Sequence, residues 1–64
     1  MDQHIVDALR ARYEAQMAEA FANIQIYLNN PAGIGEHPDL VAAVDTQVEI
    51  YANAKEKLEV LDEF

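Results

Sequence analysis

The sequence predicts an all-α protein: an antiparallel helical hairpin that dimerises into a four-helix bundle. Three observations predict it. Both glycines and both prolines of the chain fall within residues 29–38, Asn-Asn-Pro-Ala-Gly-Ile-Gly-Glu-His-Pro, and the flanks contain neither. In each flank the apolar residues recur every three or four positions, which is the period of a helix and not of a strand. The flanks also carry more apolar side chains than one helix–helix seam can bury.

The first helix is expected over residues 2–29. Ala, Leu, Arg, Met, Glu and Gln fill this stretch, all good helix formers. Its apolar row is Val6, Leu9, Tyr13, Met17, Ala20, Ile24 and Tyr27. Asp2 is placed to cap the start. Asn29 or Asn30 suits the left-handed conformation that ends a helix, and Pro31 forbids continuation. Residues 23–28 also suit a strand, because Ile24, Ile26 and Tyr27 are strand formers. The long helical lead-in decides for helix.

A turn over residues 30–37 follows, with φ > 0 expected at Gly33 or Gly35. The second helix is expected over residues 38–64. Pro38 fits the first helical position and Asp39 complements the positive end of the helix dipole. The apolar row is Leu40/Val41, Val44, Val48, Tyr51, Ala54, Leu58 and Leu61. Asp62 and Glu63 oppose the dipole at the far end, so the last turn is expected to fray. Matched helices joined by a short loop make an antiparallel hairpin, each arm roughly 40 Å long at 1.5 Å per residue.

Length argues for self-association. Ordering 64 residues costs on the order of 100 kcal/mol, and so small a core barely offsets that. With no cysteine, neither a disulfide nor a thiolate zinc site can staple the fold. Met17, Phe21, Ile24 and Leu28 on the first helix, with Val44, Val48, Tyr51 and Leu58 on the second, are the candidate dimer interface. Burial there is expected to exceed roughly 1,000 Å² in total.

Charge and composition exclude several functions. The net charge is −8, from twelve acids against four bases. Direct nucleic-acid binding and anionic membrane surfaces are therefore disfavoured, whereas a basic protein partner is compatible. No 18-residue window is free of charge, so no membrane span is expected. Residues 1–4 carry no basic or apolar leader, and the expected location is the cytoplasm. Ile, Val, Leu, Met, Phe and Tyr are too frequent for a disordered acidic chain.

Candidates for chemistry are few. The turn Asn30, Pro31, Gly33, Ile34, Gly35, Glu36, His37, Pro38 and Asp39 reads as a recognition tip, or as a structural reversal with His37 or its backbone as the helix cap. Glu36, His37 and Asp39 are a weak metal-binding trio, and no metal or cofactor is expected. Carboxylates Glu14, Glu19, Asp45, Glu49, Glu56 and Glu59 recur along the helices without the Glu-x-x-His pair of a di-metal bundle. Tyr13, Tyr27 and Tyr51 read as core or interface aromatics, with hydroxyls near Gln16, Gln47 or Asn53. Arg10 and Arg12 are placed for ion pairs with acids such as Glu56 or Glu59. The chain has neither Ser nor Cys. No nucleophile or pocket is in evidence, and enzyme activity is not expected.

The run from Tyr27 to Asp39, Tyr-Leu-Asn-Asn-Pro-Ala-Gly-Ile-Gly-Glu-His-Pro-Asp, followed by a short acidic helix, resembles small proteins of tailed phages, notably marine ones. In these a helix leads into an N-P-x-G-I-G-E-H-P-D-like turn and a second helix ends the chain. The resemblance spans nearly the whole sequence, with its specificity in Asn30 to Asp39. It implies a viral or marine environmental origin and a location in the host cytoplasm. It carries over no activity and no catalytic residues. The function expected from all this is a protein–protein interaction or structural module. The alternatives are an acidic inhibitor or nucleic-acid mimic of a basic host protein, and a metal or small-ligand binder at the turn.

Overall fold

The computed structural model describes residues 2–29 and 39–64. It contains two helices, α1 (Gln3–Asn29) and α2 (Leu40–Leu61), which pack against each other as a hairpin. There is no strand among the described residues. The predicted glycine geometry at Gly33 and Gly35, and Pro38 as a first helical residue, lie outside them.

Capping explains the boundaries. Asp2 Oδ1 accepts from the backbone N–H groups of His4 at 2.8 Å and Ile5 at 3.3 Å, satisfying donors that the first turn leaves without carbonyls. At the other end Asn29 stays helical, and its side-chain amide donates to the Gln25 carbonyl at 2.9 Å. The stretch over residues 23–28 is helical despite its β-branched residues, because its seam side packs against α2.

Helix α2 is shorter than the sequence predicts at both ends. Asp39 is its N-cap and not part of its first turn, with Oδ1 accepting from the Ala42 N–H at 2.9 Å. The helix closes at Leu61. Asp62, Glu63 and Phe64 then donate backwards to Glu59, Val60 and Leu61, a tightened 3₁₀-like ending at the point where acids oppose the dipole.

The seam repeats every seven residues. Val6, Tyr13, Ala20 and Tyr27 line it on α1, flanked by Leu9, Met17 and Ile24. Leu40, Gln47, Ala54 and Leu61 line it on α2, flanked by Val44, Tyr51 and Leu58. This strict repeat is the pattern of a two-stranded coiled coil. It decides between the alternatives Leu40 and Val41 in favour of Leu40, and it corrects the sequence row for α2 in one place: Gln47 enters where Val48 was expected. Gln47 is tolerated because Asn23 across the seam donates to its Oε1 at 3.1 Å.

Among the described residues only Val6, Ala20, Ala54 and Leu61 are buried. Two of the four are alanines, whose small side chains bury little area. The molecule measures 46 × 15 × 14 Å, and its radius of gyration is 14.6 Å. A compact chain of this length has about 11 Å. The hairpin is a thin rod, not a globule with a closed core.

Candidate interaction face

Two contacts across the seam define one side of the rod. The Phe21 ring lies 6.5 Å from that of Tyr51, and an Arg10 guanidinium nitrogen lies 3.5 Å from Asp62 Oδ1. Phe21 and Asp62 sit next to the seam on their own helices, so both contacts lie on the same flank. The sequence placed Arg10 near Glu56 or Glu59; the structure pairs it with Asp62, one turn further along α2.

Seven-residue spacing carries this flank along the rod. On α1 it holds Met17 and Ile24, with Phe21 and Leu28 outside them; on α2 it holds Val44, Tyr51 and Leu58, with Val41 and Val48 outside them. All eight interface residues read from the sequence fall here. The structure divides them in two. Met17, Ile24, Val44, Tyr51 and Leu58 are half-buried, because the hairpin's own seam takes one side of each. Phe21, Leu28 and Val48 remain 53%, 63% and 47% exposed, and Val41, which the sequence did not place among the interface residues, is 82% exposed. Tyr27, Leu28, Leu40, Val41 and Val44 form a shallow apolar cleft at the turn end of this face.

Charge is kept off the turn half of the face. Five charged residues precede residue 15 and seven follow residue 48. Of the described charges between, Glu19, Asp39 and Asp45, none lies on this flank; Glu19 is on the opposite side of α1 and Asp45 faces outward on α2. The outward stripe of α2 carries Asp45, Glu49, Glu56, Glu59 and Glu63, all exposed. The matching outward stripe of α1 is Ala8, Ala11, Ala15, Ala18 and Ala22, also exposed and uncharged.

The opposite flank mixes the exposed Ile5, Ile26, Ile50, Val60 and Phe64 with Arg12, Gln16, Glu19, Asn23 and Asn53. Near the termini a groove of about 390 Å³ is lined by Leu9, Tyr13, Lys57, Val60 and Phe64. Lys57 Nζ sits 5.4 Å from the Tyr13 ring centroid, a cation–π contact. Among the described residues no group of three His, Cys, Asp or Glu is placed to hold a metal ion. No helix among them is long and apolar enough to cross a membrane. Of the predicted recognition turn only Asp39 is described, and its carboxylate caps α2; Asn30, Pro31, Gly33, Ile34, Gly35, Glu36, His37 and Pro38 lie outside the described residues.

The sequence reasoning missed the Asn23–Gln47 pair. The signal was present: Gln47 stands in the series Leu40, Gln47, Ala54, Leu61, and a polar residue in such a series calls for a partner across the seam. No known family model matches the chain, and no curated protein or solved structure matches it.

Proposed function

We propose that this chain is a small protein-interaction module whose working form is a homodimer, two hairpins packed face to face as a four-helix bundle. The observation that carries the proposal is the imbalance between core and surface. Among the described residues four are buried, while Phe21, Leu28, Val41 and Val48 lie exposed along one flank.

Areas support the same reading. The accessible surface is 4746 Å². A compact monomer of this mass exposes about 4,100 Å². The excess is comparable with what one flank would lose on pairing, and two such flanks remove on the order of 1,000 Å², the minimum for a biological interface. With about 60% of that area apolar, at about 25 cal/mol per Å², the gross gain is about 15 kcal/mol. It is of the same size as the roughly 4–15 kcal/mol lost in translational and rotational freedom, so the dimer is expected to dissociate on dilution.

Thermal unfolding across a hundredfold range of protein concentration tests the proposal. Coupled folding and association make the midpoint rise with concentration, and Phe21→Glu should remove that dependence. A midpoint that stays constant in the unmodified chain overturns the dimer.

A second reading is favoured by the acidic stripe of α2, which faces away from the apolar flank. Its five acids, with no base among them, support binding to a basic surface, such as a nucleic-acid-binding protein of a host cell. Such a complex would weaken steeply as salt rises, whereas association through the apolar flank would not. Metal or small-ligand binding at the turn remains a third proposal, resting on Glu36, His37 and Asp39 in the sequence alone.

A further inference from the structure

We infer that the two copies pair with their turns at the same end, with α1 of each lying on α2 of the other; this rests on the dimer proposed above. The argument is the order of residues along the exposed edge of the apolar flank. On α1 that edge is Asp7, Glu14, Phe21 and Leu28; on α2 it is Val41, Val48, Lys55 and Asp62. All eight are exposed, and each set is spaced by seven, so each forms one stripe. Both stripes run from apolar at the turn to charged at the termini.

Heights along the rod follow from the hairpin's own register. Residue 23 lies opposite 47, and 13 opposite 57. Leu28 is therefore level with Val41, Phe21 with Val48, Glu14 with Lys55, and Asp7 with Asp62.

Two flanks meeting face to face can be related by either of two two-fold axes. An axis along the rods keeps the turns together and sets α1 against the partner's α2 at equal height. Leu28 then meets the partner's Val41, Phe21 meets the partner's Val48, and Glu14 meets the partner's Lys55. Two rungs are apolar and the third is an opposite-charge pair. The fourth, Asp7 with the partner's Asp62, lies at the open end, where Arg10 already pairs with Asp62 and Gln3 donates to Asp7 at 2.7 Å.

An axis across the rods sets α1 on α1 and α2 on α2, running oppositely. At full overlap Leu28 meets the partner's Asp7, Phe21 meets the partner's Glu14, Val41 meets the partner's Asp62 and Val48 meets the partner's Lys55. Every apolar residue of the edge then covers a charge without pairing it, which is strongly unfavourable. Sliding the copies until only the turn halves overlap restores apolar contact but uses half of the face. The turns-together bundle uses all of it.

Two single variants test the pairing direction, Glu14→Lys and Lys55→Glu. In the turns-together bundle each weakens self-association several-fold, because both Glu14–Lys55 rungs become like-charged. An equimolar mixture recovers the unmodified affinity, because both rungs of the mixed pair are opposite in charge. In either crossed arrangement these residues never face each other, so a mixture no tighter than the two variants alone overturns the inference. A spin label at His4→Cys, unique in this cysteine-free chain, gives a second readout. The label pair should lie within about 30 Å with turns together and about 60 Å apart in the slid arrangement. Absence of any dimer in the unmodified chain removes both this inference and the proposed function. A dimer that fails the mixing test removes only the pairing direction.

Discussion

Replacing Asn23 and Gln47 singly and together by Ala isolates the polar contact they make inside the seam. The donor–acceptor distance is 3.1 Å and the pair is partly buried. A net hydrogen bond of this kind contributes about 0.5–1.5 kcal/mol. Single substitutions alone mislead, because Ala also gains roughly 0.5 kcal/mol of helix propensity over Asn. The double-mutant cycle cancels that gain and leaves the coupling, expected near 1 kcal/mol. In a domain of this size 1 kcal/mol corresponds to a midpoint shift of about 4–8 °C. The assay is thermal unfolding by circular dichroism at one fixed protein concentration, since association contributes to stability. A coupling below about 0.3 kcal/mol would refute the claim that Gln47 is held in the seam by Asn23. The companion variant Asn23→Leu/Gln47→Leu should melt no lower than the unmodified chain, because two apolar residues fill the same space without a polar cost.

Other substitutions follow from burial and capping, all read by urea unfolding at fixed concentration. Leu61→Ala removes one of the two large side chains buried among the described residues and should cost about 2–4 kcal/mol; a loss under about 1 kcal/mol would mean that the terminal end of the seam is open. Ala54→Leu forces a large group into a position 1% exposed and should destabilise by about 1–3 kcal/mol, whereas a gain in stability would reveal a void there. Asp39→Ala should cost about 1 kcal/mol and Asp39→Asn far less, since Asn also caps; equal losses would contradict the capping role. Arg10→Ala should change stability by no more than about 1 kcal/mol, because its ion pair with Asp62 is exposed to solvent; a larger loss would show an unrecognised packing role.

The two helices, their antiparallel packing and most of the seam are legible in the sequence because the three–four spacing is uninterrupted from Val6 to Tyr27. The α2 seam is harder to read, since Val41 and Val48 are apolar neighbours of Leu40 and Gln47. Hydrophobicity alone leaves Leu40 and Val41 undecided and selects Val48 over Gln47. The strict seven-residue repeat selects the true seam and leaves the valines 82% and 47% exposed. Helix ends are set by single side-chain oxygens. Asp39 caps α2 because its carboxylate reaches the Ala42 N–H, a contact that composition does not specify. The candidate interface is legible as a set of residues but not in its division. Met17 and Ile24 lie between the seam and the flank, so a linear pattern cannot tell which side takes them.

Self-association through the apolar flank is the central claim, and sedimentation equilibrium of the unmodified chain at micromolar concentrations tests it most directly. The chain mass is 7.2 kDa. The account predicts a folded species of twice that mass, dissociating on dilution with loss of helical signal. A species of single-chain mass that keeps its full helical signal would contradict it.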